Sequence, residues 1–231
     1  MTAYSSADVA ARVLLWLGGS LFVVSLITCA WWYAFVLGRA APAVDWGALA
    51  LDTALFTAFA LHHSFFARDS AKRLLGSLTP QAFRSVYVYV ASGLLIAVCL
   101  AWRPIGGELY RMTGFAALAL AIVQVAGVVC IARAAARIDP LQLAGIRPEK
   151  PSGLQSDGVY SLVRHPIYLG WVIAVFATPH MTGDRLAFAS ISTLYLVAAV
   201  PFEERSLRRS FGETYARYAR AVRWRIVPFI Y

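Results

Sequence analysis

Two polar runs interrupt the apolar C-terminal third of this chain. Tyr160, Arg164, His165 and Tyr168 stand around Pro166, and the pair Glu203-Glu204 follows Pro201. A third run, His62-His63, closes an apolar stretch in the N-terminal half. Imidazole, guanidinium, carboxylate and phenol groups inside apolar segments are costly unless paired, hydrated or used. Together they mark a site able to hold charged groups and move protons. Each run also has a plainer reading. The histidines could end a helix at the headgroups, Arg164-His165-Pro166 could be an ordinary helix start, and Glu203-Glu204 could pair with Arg208 one turn on. What decides is whether the elements that carry these residues bring them to one depth.

Composition says what those elements are. Of 231 residues, 60% are apolar and 14% charged, and mean hydropathy is +0.64. A water-soluble domain has about a quarter of its residues charged, so this chain is an integral membrane protein. A secreted disulfide scaffold and a cytosolic dinucleotide enzyme are excluded. The net charge of +9 does not point to nucleic acid, because the basic residues flank apolar spans. Cys29, Cys99 and Cys130 lie in apolar runs without C-x-x-C spacing. They read as small core residues, neither metal ligands nor a redox pair.

A helix needs about 20 apolar residues to cross a bilayer. Segments near 13–37, 46–67, 86–102 and 112–132 satisfy this, and two shorter ones follow at 166–179 and 185–201. The expected fold is all-α and polytopic, with six spans. The first run is too long for a signal peptide's apolar core, despite Ala41-Pro42-Ala43 behind it. With both termini inside, inner segments hold 17 of the 21 lysines and arginines, and outer ones hold Arg39, Arg103, Arg111 and Arg185. That asymmetry orients the chain as in a bacterial inner membrane, with both ends cytoplasmic. Residues 1–135 form a four-helix part. Residues 136–231 hold a long inner loop, the short hairpin and an amphipathic helix, all in one domain. In that last helix Leu207, Phe211, Tyr215, Tyr218 and Val222 recur at helical spacing among arginines, a pattern suited to lying on an anionic inner surface. A transporter would need polar residues at the midplane, where Gln124 is the one clear candidate. A lone glutamine there more often bonds a neighbouring helix.

Counting from a turn near residue 182 places His165 seventeen positions back and Glu203 twenty-one forward. Antiparallel helices hold these two at nearly the same depth. Pro166 suits the first position of a helix, where its missing N–H costs nothing. The inner end of the second span, with His62 and His63, reaches the same level. The three runs therefore converge on one inner site.

Two patterns add a resemblance. Gly158-Val159-Tyr160-Ser161-Leu162-Val163-Arg164-His165-Pro166-Ile167-Tyr168-Leu169-Gly170 resembles the G-x-Y-x-x-x-R-H-P-x-Y-x-G signature of the isoprenylcysteine carboxyl methyltransferase and phospholipid methyltransferase superfamily. Glu203-Glu204, Leu207, Phe211-Gly212, Tyr215 and Tyr218 match its partner motif. Leu61 to Phe66, Ala67-Arg68, Trp102-Arg103-Pro104 and Ala177-Thr178-Pro179 look like the branch of NnrU and methanethiol S-methyltransferase. The resemblance implies S-adenosylmethionine (SAM) as methyl donor, held at the inner ends of the last helices. Carried over by position, Ser152, Gly153, Leu154, Gln155, Tyr160, His165, Pro166, Ile167, Tyr168, Glu203 and Glu204 would contact the donor. A carboxylate suits its ammonium, and helix-start amides with a cationic neighbour suit its carboxylate. His62 or His63 would be the base, with Arg164 as a further catalytic group. The acceptor would be small or lipophilic, with methanethiol, giving dimethyl sulfide, placed first. Phospholipid amines, prenylcysteine carboxylates and a non-enzymatic NnrU-like assembly role are the alternatives. The prenylcysteine branch has an arginine one turn before the glutamate, where this chain has Ala199.

Overall fold

The computed structural model describes residues 6–39, 44–66, 80–147 and 153–231. Ser152, the 41–43 tripeptide, and the inner-loop cations Arg68, Lys72, Arg73 and Lys150 lie outside the described residues. The apolar runs fold as helices, since a helix satisfies its own backbone where no water can. Helix α1 (Ser6–Trp31) runs on into a π-helical turn over Trp32–Val36, followed by α2 (Trp46–Phe66) and α3 (Pro80–Ala101). After strand β1 (Glu108–Arg111) come α4 (Gly114–Ala136), the single turn α5 (Pro140–Leu143) and a 3₁₀ turn at Gly158–Ser161. Helix α6 (Pro166–Phe176), strand β2 (His180–Thr182) and α7 (Gly183–Ala221) complete the order. Four of these stretches are long and apolar enough to cross a membrane: Arg12–Val36, Ala82–Ala101, Gly114–Ala136 and one within Gly183–Ala221. This is a helical membrane protein.

The chain forms two compact units that alternate along the sequence. The first takes residues 1–36, 47–103 and 139–150. In it, Tyr89 of α3 lies against Gly18 of α1 and donates its hydroxyl to the Leu14 carbonyl at 2.8 Å. Trp32 and Trp102 meet edge-on at 5.2 Å. The buried carboxylate of Asp52 accepts the Arg103 N–H at 3.0 Å, just past the end of α3. Cys29 and Cys99 are buried, as expected of core residues.

The second unit, residues 37–46, 104–138 and 151–231, carries both C-terminal motifs. Its centre is the contact of α4 with α6, where Gly127 and Gly170 oppose each other. A Cβ on Gly127 would fall 2.7 Å from the Gly170 carbonyl oxygen, and one on Gly170 would fall 2.6 Å from that of Gly127. Small residues at a membrane crossing let two backbones touch and gain packing that lipid does not supply. Gln124 donates across the same crossing to the Ala174 carbonyl at 2.7 Å, the helix–helix bond expected of it. Helix α7 joins α6 through the Trp171 indole, 2.9 Å from Ser192 Oγ and tilted against Phe188.

Two expectations change. The turn at 178–184 contains β2, which pairs antiparallel with β1. Asp184 fixes this end by accepting the Ile105 and Gly106 N–H groups at 2.9 and 3.2 Å. The second hairpin helix also does not stop at Pro201 but runs on to a kink at Gly212, beyond which a further helical stretch reaches Ala221. Proline removes one N–H, and flanking residues anchored in the core, Val200 and Glu204, hold the helix through that gap. The break comes at Gly212, whose φ of 50° and ψ of −125° lie outside helical space.

Gly170→Val forces the backbones of α4 and α6 apart and should cost about 1–3 kcal/mol or more. Thermal unfolding in detergent measures it. Gly93→Ala, with nothing within 4 Å of the added carbon, is the matched control and should leave the midpoint within about 0.5 kcal/mol of wild type.

Candidate functional site

Arg164 organises the end of the second unit at which α6 begins. Its side chain is 8% exposed and that of Glu204 is 5%. The guanidinium meets Glu204 Oε1 with two nitrogens, Nε and Nη2, each at 2.7 Å. Nη1 donates to the Ala219, Val222 and Arg223 carbonyls at 3.3, 2.8 and 3.0 Å. Those carbonyls end α7, where a helix leaves acceptors unsatisfied and favours a cation. The group the sequence offers as catalytic thus commits its donors to holding the fold. Glu204 pairs with Arg164, while Arg208 lies over the Tyr215 ring.

His165, the residue before α6, is 7% exposed. Its Nδ1 is 3.4 Å from Glu203 and its Nε2 is 3.6 Å from Glu204, so the two runs do reach one depth. Nε2 is buried without a hydrogen-bond partner among the described residues. Burial opposes a charge on this ring, but the two carboxylates outweigh it and raise its pKa above the usual imidazole value. The ring stacks on Tyr168 at 5.4 Å, and Tyr168 donates its hydroxyl to Glu203. Pro166 takes the first turn of α6, as expected.

Around these groups lies a cavity of about 260 Å³. Small-molecule sites begin at roughly 300 Å³, so it is small, but nearly half of the Glu203 side chain is exposed at it. Gly153, Leu154, Gln155, Tyr160, Arg164, His165, Pro166, Ile167, Tyr168 and Glu203 line it, all of them singled out in the sequence. Tyr160 accepts the Tyr218 hydroxyl at its carbonyl, 2.8 Å away. Burial, then the nearby Cys130 and Glu203, pushes the Tyr160 hydroxyl up to about 12, so it stays a neutral donor.

Sequence reasoning missed Ile138, Leu207, Phe211 and Tyr218, which also line the cavity. The last three belong to the apolar stripe expected to lie on lipid. That stripe turns inward: Tyr215 and Tyr218 are buried, with Leu154, Leu207 and Phe211 packed against them. Helical spacing reveals that one face is apolar but not whether protein or lipid covers it. The Arg164 clamp decides, because it ties the end of the same helix to the core.

His62 and His63 belong to the first unit, around Tyr87. The Tyr87 hydroxyl is 2.9 Å from His63 Nδ1, and the His62 ring is parallel to the phenol within 12° at 5.9 Å.

Glu204→Ala strands a buried guanidinium and should cost about 3–5 kcal/mol of stability. A pH series of melts tests His165. Its raised pKa means that the imidazolium's contribution is full below about pH 6.5 and is lost as pH rises through the folded value. The advantage of wild type over His165→Gln should therefore shrink between about pH 6 and pH 9. An advantage that grows over that range would contradict the assignment.

The profile of the family described as phospholipid methyltransferase matches residues 112–214. A protein of Bradyrhizobium diazoefficiens named methanethiol S-methyltransferase 2 is 36% identical over 185 residues, 76% of this chain and 71% of that protein. A Mycobacterium tuberculosis protein named methanethiol S-methyltransferase is 33% identical, over 76% of each chain. Protein-S-isoprenylcysteine O-methyltransferase B of Arabidopsis thaliana is 35% identical over 83 residues, 35% of this chain and 42% of that protein. No solved structure matches the chain.

Proposed function

This chain belongs to the phospholipid and isoprenylcysteine methyltransferase superfamily and is a membrane methyltransferase; from that premise we propose that it methylates a small thiol with SAM as donor. Methanethiol, giving dimethyl sulfide, is the acceptor placed first. The observation that carries the reading is the cavity beside His165, where one carboxylate is spent and another is spare. Glu204 is neutralised by Arg164, whereas Glu203 presents a half-exposed carboxylate to the same space.

The residues fit that donor. Glu203 suits an ammonium group. The unpartnered Nε2 of His165 and the start of α6 suit a carboxylate. Tyr160 and Tyr168 offer aromatic faces for an adenine or a sulfonium. Leu154, Ile167, Leu207 and Phe211 keep the surroundings apolar. Gly153, Leu154 and Gln155 would flank the donor, with Pro166 setting the helix start and Glu204 acting only through His165 and Arg164.

When bound, the donor supplies a methyl carbon on a positively charged sulfur. The protein's part is alignment in a dry space. A thiol must first lose its proton, which His62 or His63 would take on a ring nitrogen. The residues that line the cavity would hold the thiolate in line with that methyl carbon, so that transfer would neutralise both charges. Arg164 is a positioning residue in this scheme. Ala199, small and buried in α7, offers no cation to a carboxylate acceptor, which supports a thiol over a prenylcysteine. The proposal extends to one methyltransferase domain with six spans in a bacterial inner membrane, its ends and site cytoplasmic. The 17-to-4 distribution of lysine and arginine supports that orientation.

Incubating membranes with labelled SAM and a panel of thiols, lipids and prenylcysteines identifies the acceptor; label on small thiols is expected, and label on lipid alone would overturn the thiol reading. Calorimetric titration with SAM tests the donor site. Glu203→Gln should weaken binding about tenfold or more, as loss of a charged hydrogen bond does, while lowering the melt much less than Glu204→Ala. No binding by wild type would sink the donor assignment. His62→Ala or His63→Ala should lower turnover by about 10²-fold. Unchanged turnover in both removes the base.

A further inference from the structure

The last eight residues, Trp224–Tyr231, fold back onto the site. Arg164 N–H donates to the Trp224 carbonyl at 2.9 Å, and His165 N–H to that of Arg225 at 2.8 Å. The tail closes on itself, with Arg225 and Ile226 N–H both donating to the Tyr231 carbonyl and with Ile226 2% exposed. These bonds fix its depth, because Arg164 and His165 immediately precede the apolar helix α6. The tail therefore sits where the chain enters the hydrocarbon.

At its tip the usual burial of large apolar residues is reversed. Phe229 is 86% exposed and Ile230 is 80% exposed. Phe229 has φ of 66°, a left-handed conformation that a bulky residue adopts only when its surroundings impose it. The turn sends Ile226 inward and leaves Ile230 and Phe229, whose ring tilts against Trp224 at 5.2 Å, exposed. Arg217, Arg220 and Arg223, in the stretch that leads into this tip, are exposed, and Arg225 lies over the Tyr231 ring at 5.0 Å. After Glu204 the chain has seven arginines and a single acid, Glu213, which is paired with Arg220 at 2.6 Å. The stripe of Leu207, Phe211 and Tyr218 lines the cavity instead.

We propose that Phe229 and Ile230 form an interfacial foot that inserts among anionic lipid headgroups, and that its immersion holds Arg164 and His165 in place and so tightens the donor cavity. The occupant is an anionic lipid surface. Exposed apolar side chains that end an arginine-rich segment, tied to the residues just before an apolar helix, match that chemistry. The second half of the proposal rests on the donor reading above.

Ile230→Cys carrying an environment-sensitive fluorophore, with labelled wild type as background, reports immersion in nanodiscs of phosphatidylcholine alone or with phosphatidylglycerol. Emission should shift to the blue with the anionic lipid and return as about 1 M salt screens the charge. SAM affinity should be about fivefold or more tighter in the anionic discs, and Phe229→Ser should abolish that difference. Water-like emission in both discs would overturn the proposal. So would a shift that follows protein concentration rather than lipid charge, which would assign the tip to a second copy. SAM affinity indifferent to lipid charge would overturn the coupling. Immersion that follows lipid charge while SAM binds in neither disc would uphold the foot and refute the donor reading instead.

Discussion

The site beside α6 depends on the satisfaction of one buried guanidinium. Arg164 presents a planar fork of donors that cannot lose its charge. Left alone at 8% exposure it would be among the costliest groups in the fold. Glu204 and three helix-end carbonyls answer it. In doing so they join the segment that leads into α6, the middle of α7 and the end of α7. A lysine, with a point charge and no fork, could not serve the carboxylate and the carbonyls in the same way.

That clamp divides the labour of two adjacent carboxylates. Glu204 is buried and spent on Arg164, while Glu203 stays half-exposed, touched by His165 and Tyr168 on the cavity side. One glutamate keeps the site's shape and its neighbour supplies spare charge within it. The clamp also turns the end of α7 inward. Gly212 breaks the helix, the apolar stripe beyond it packs on Leu154 and Tyr160, and the arginines are left facing out.

Much of this was legible in residue order because membrane insertion leaves few choices. Long apolar runs become helices, Pro166 starts one, and Gln124 finds a neighbouring carbonyl. Residue counting about a turn brings His165 and Glu203 together. Where prediction failed, the competing options were close in local energy. Glu204 had Arg208 one turn away and Arg164 forty residues back, and the distant partner won because it is buried, where a pair is satisfied or ruinous. Pro201 ordinarily ends a helix, yet anchored neighbours carried this one through. The strand at 180–182 had no local signal, since its partner at 108–111 is remote in sequence.

By itself the sequence determined that the chain lives in a membrane, and which side chains of its two C-terminal motifs could meet. Those follow from hydropathy, helical rise and proline stereochemistry, all properties of residues near one another in the chain. Only the tertiary structure decided which carboxylate is spent, which way the apolar stripe faces, and that the last residues return to bond the backbone of Arg164 and His165. Each of those turns on a contact between groups tens of residues apart, and its energy exists only once burial has removed water as the alternative partner.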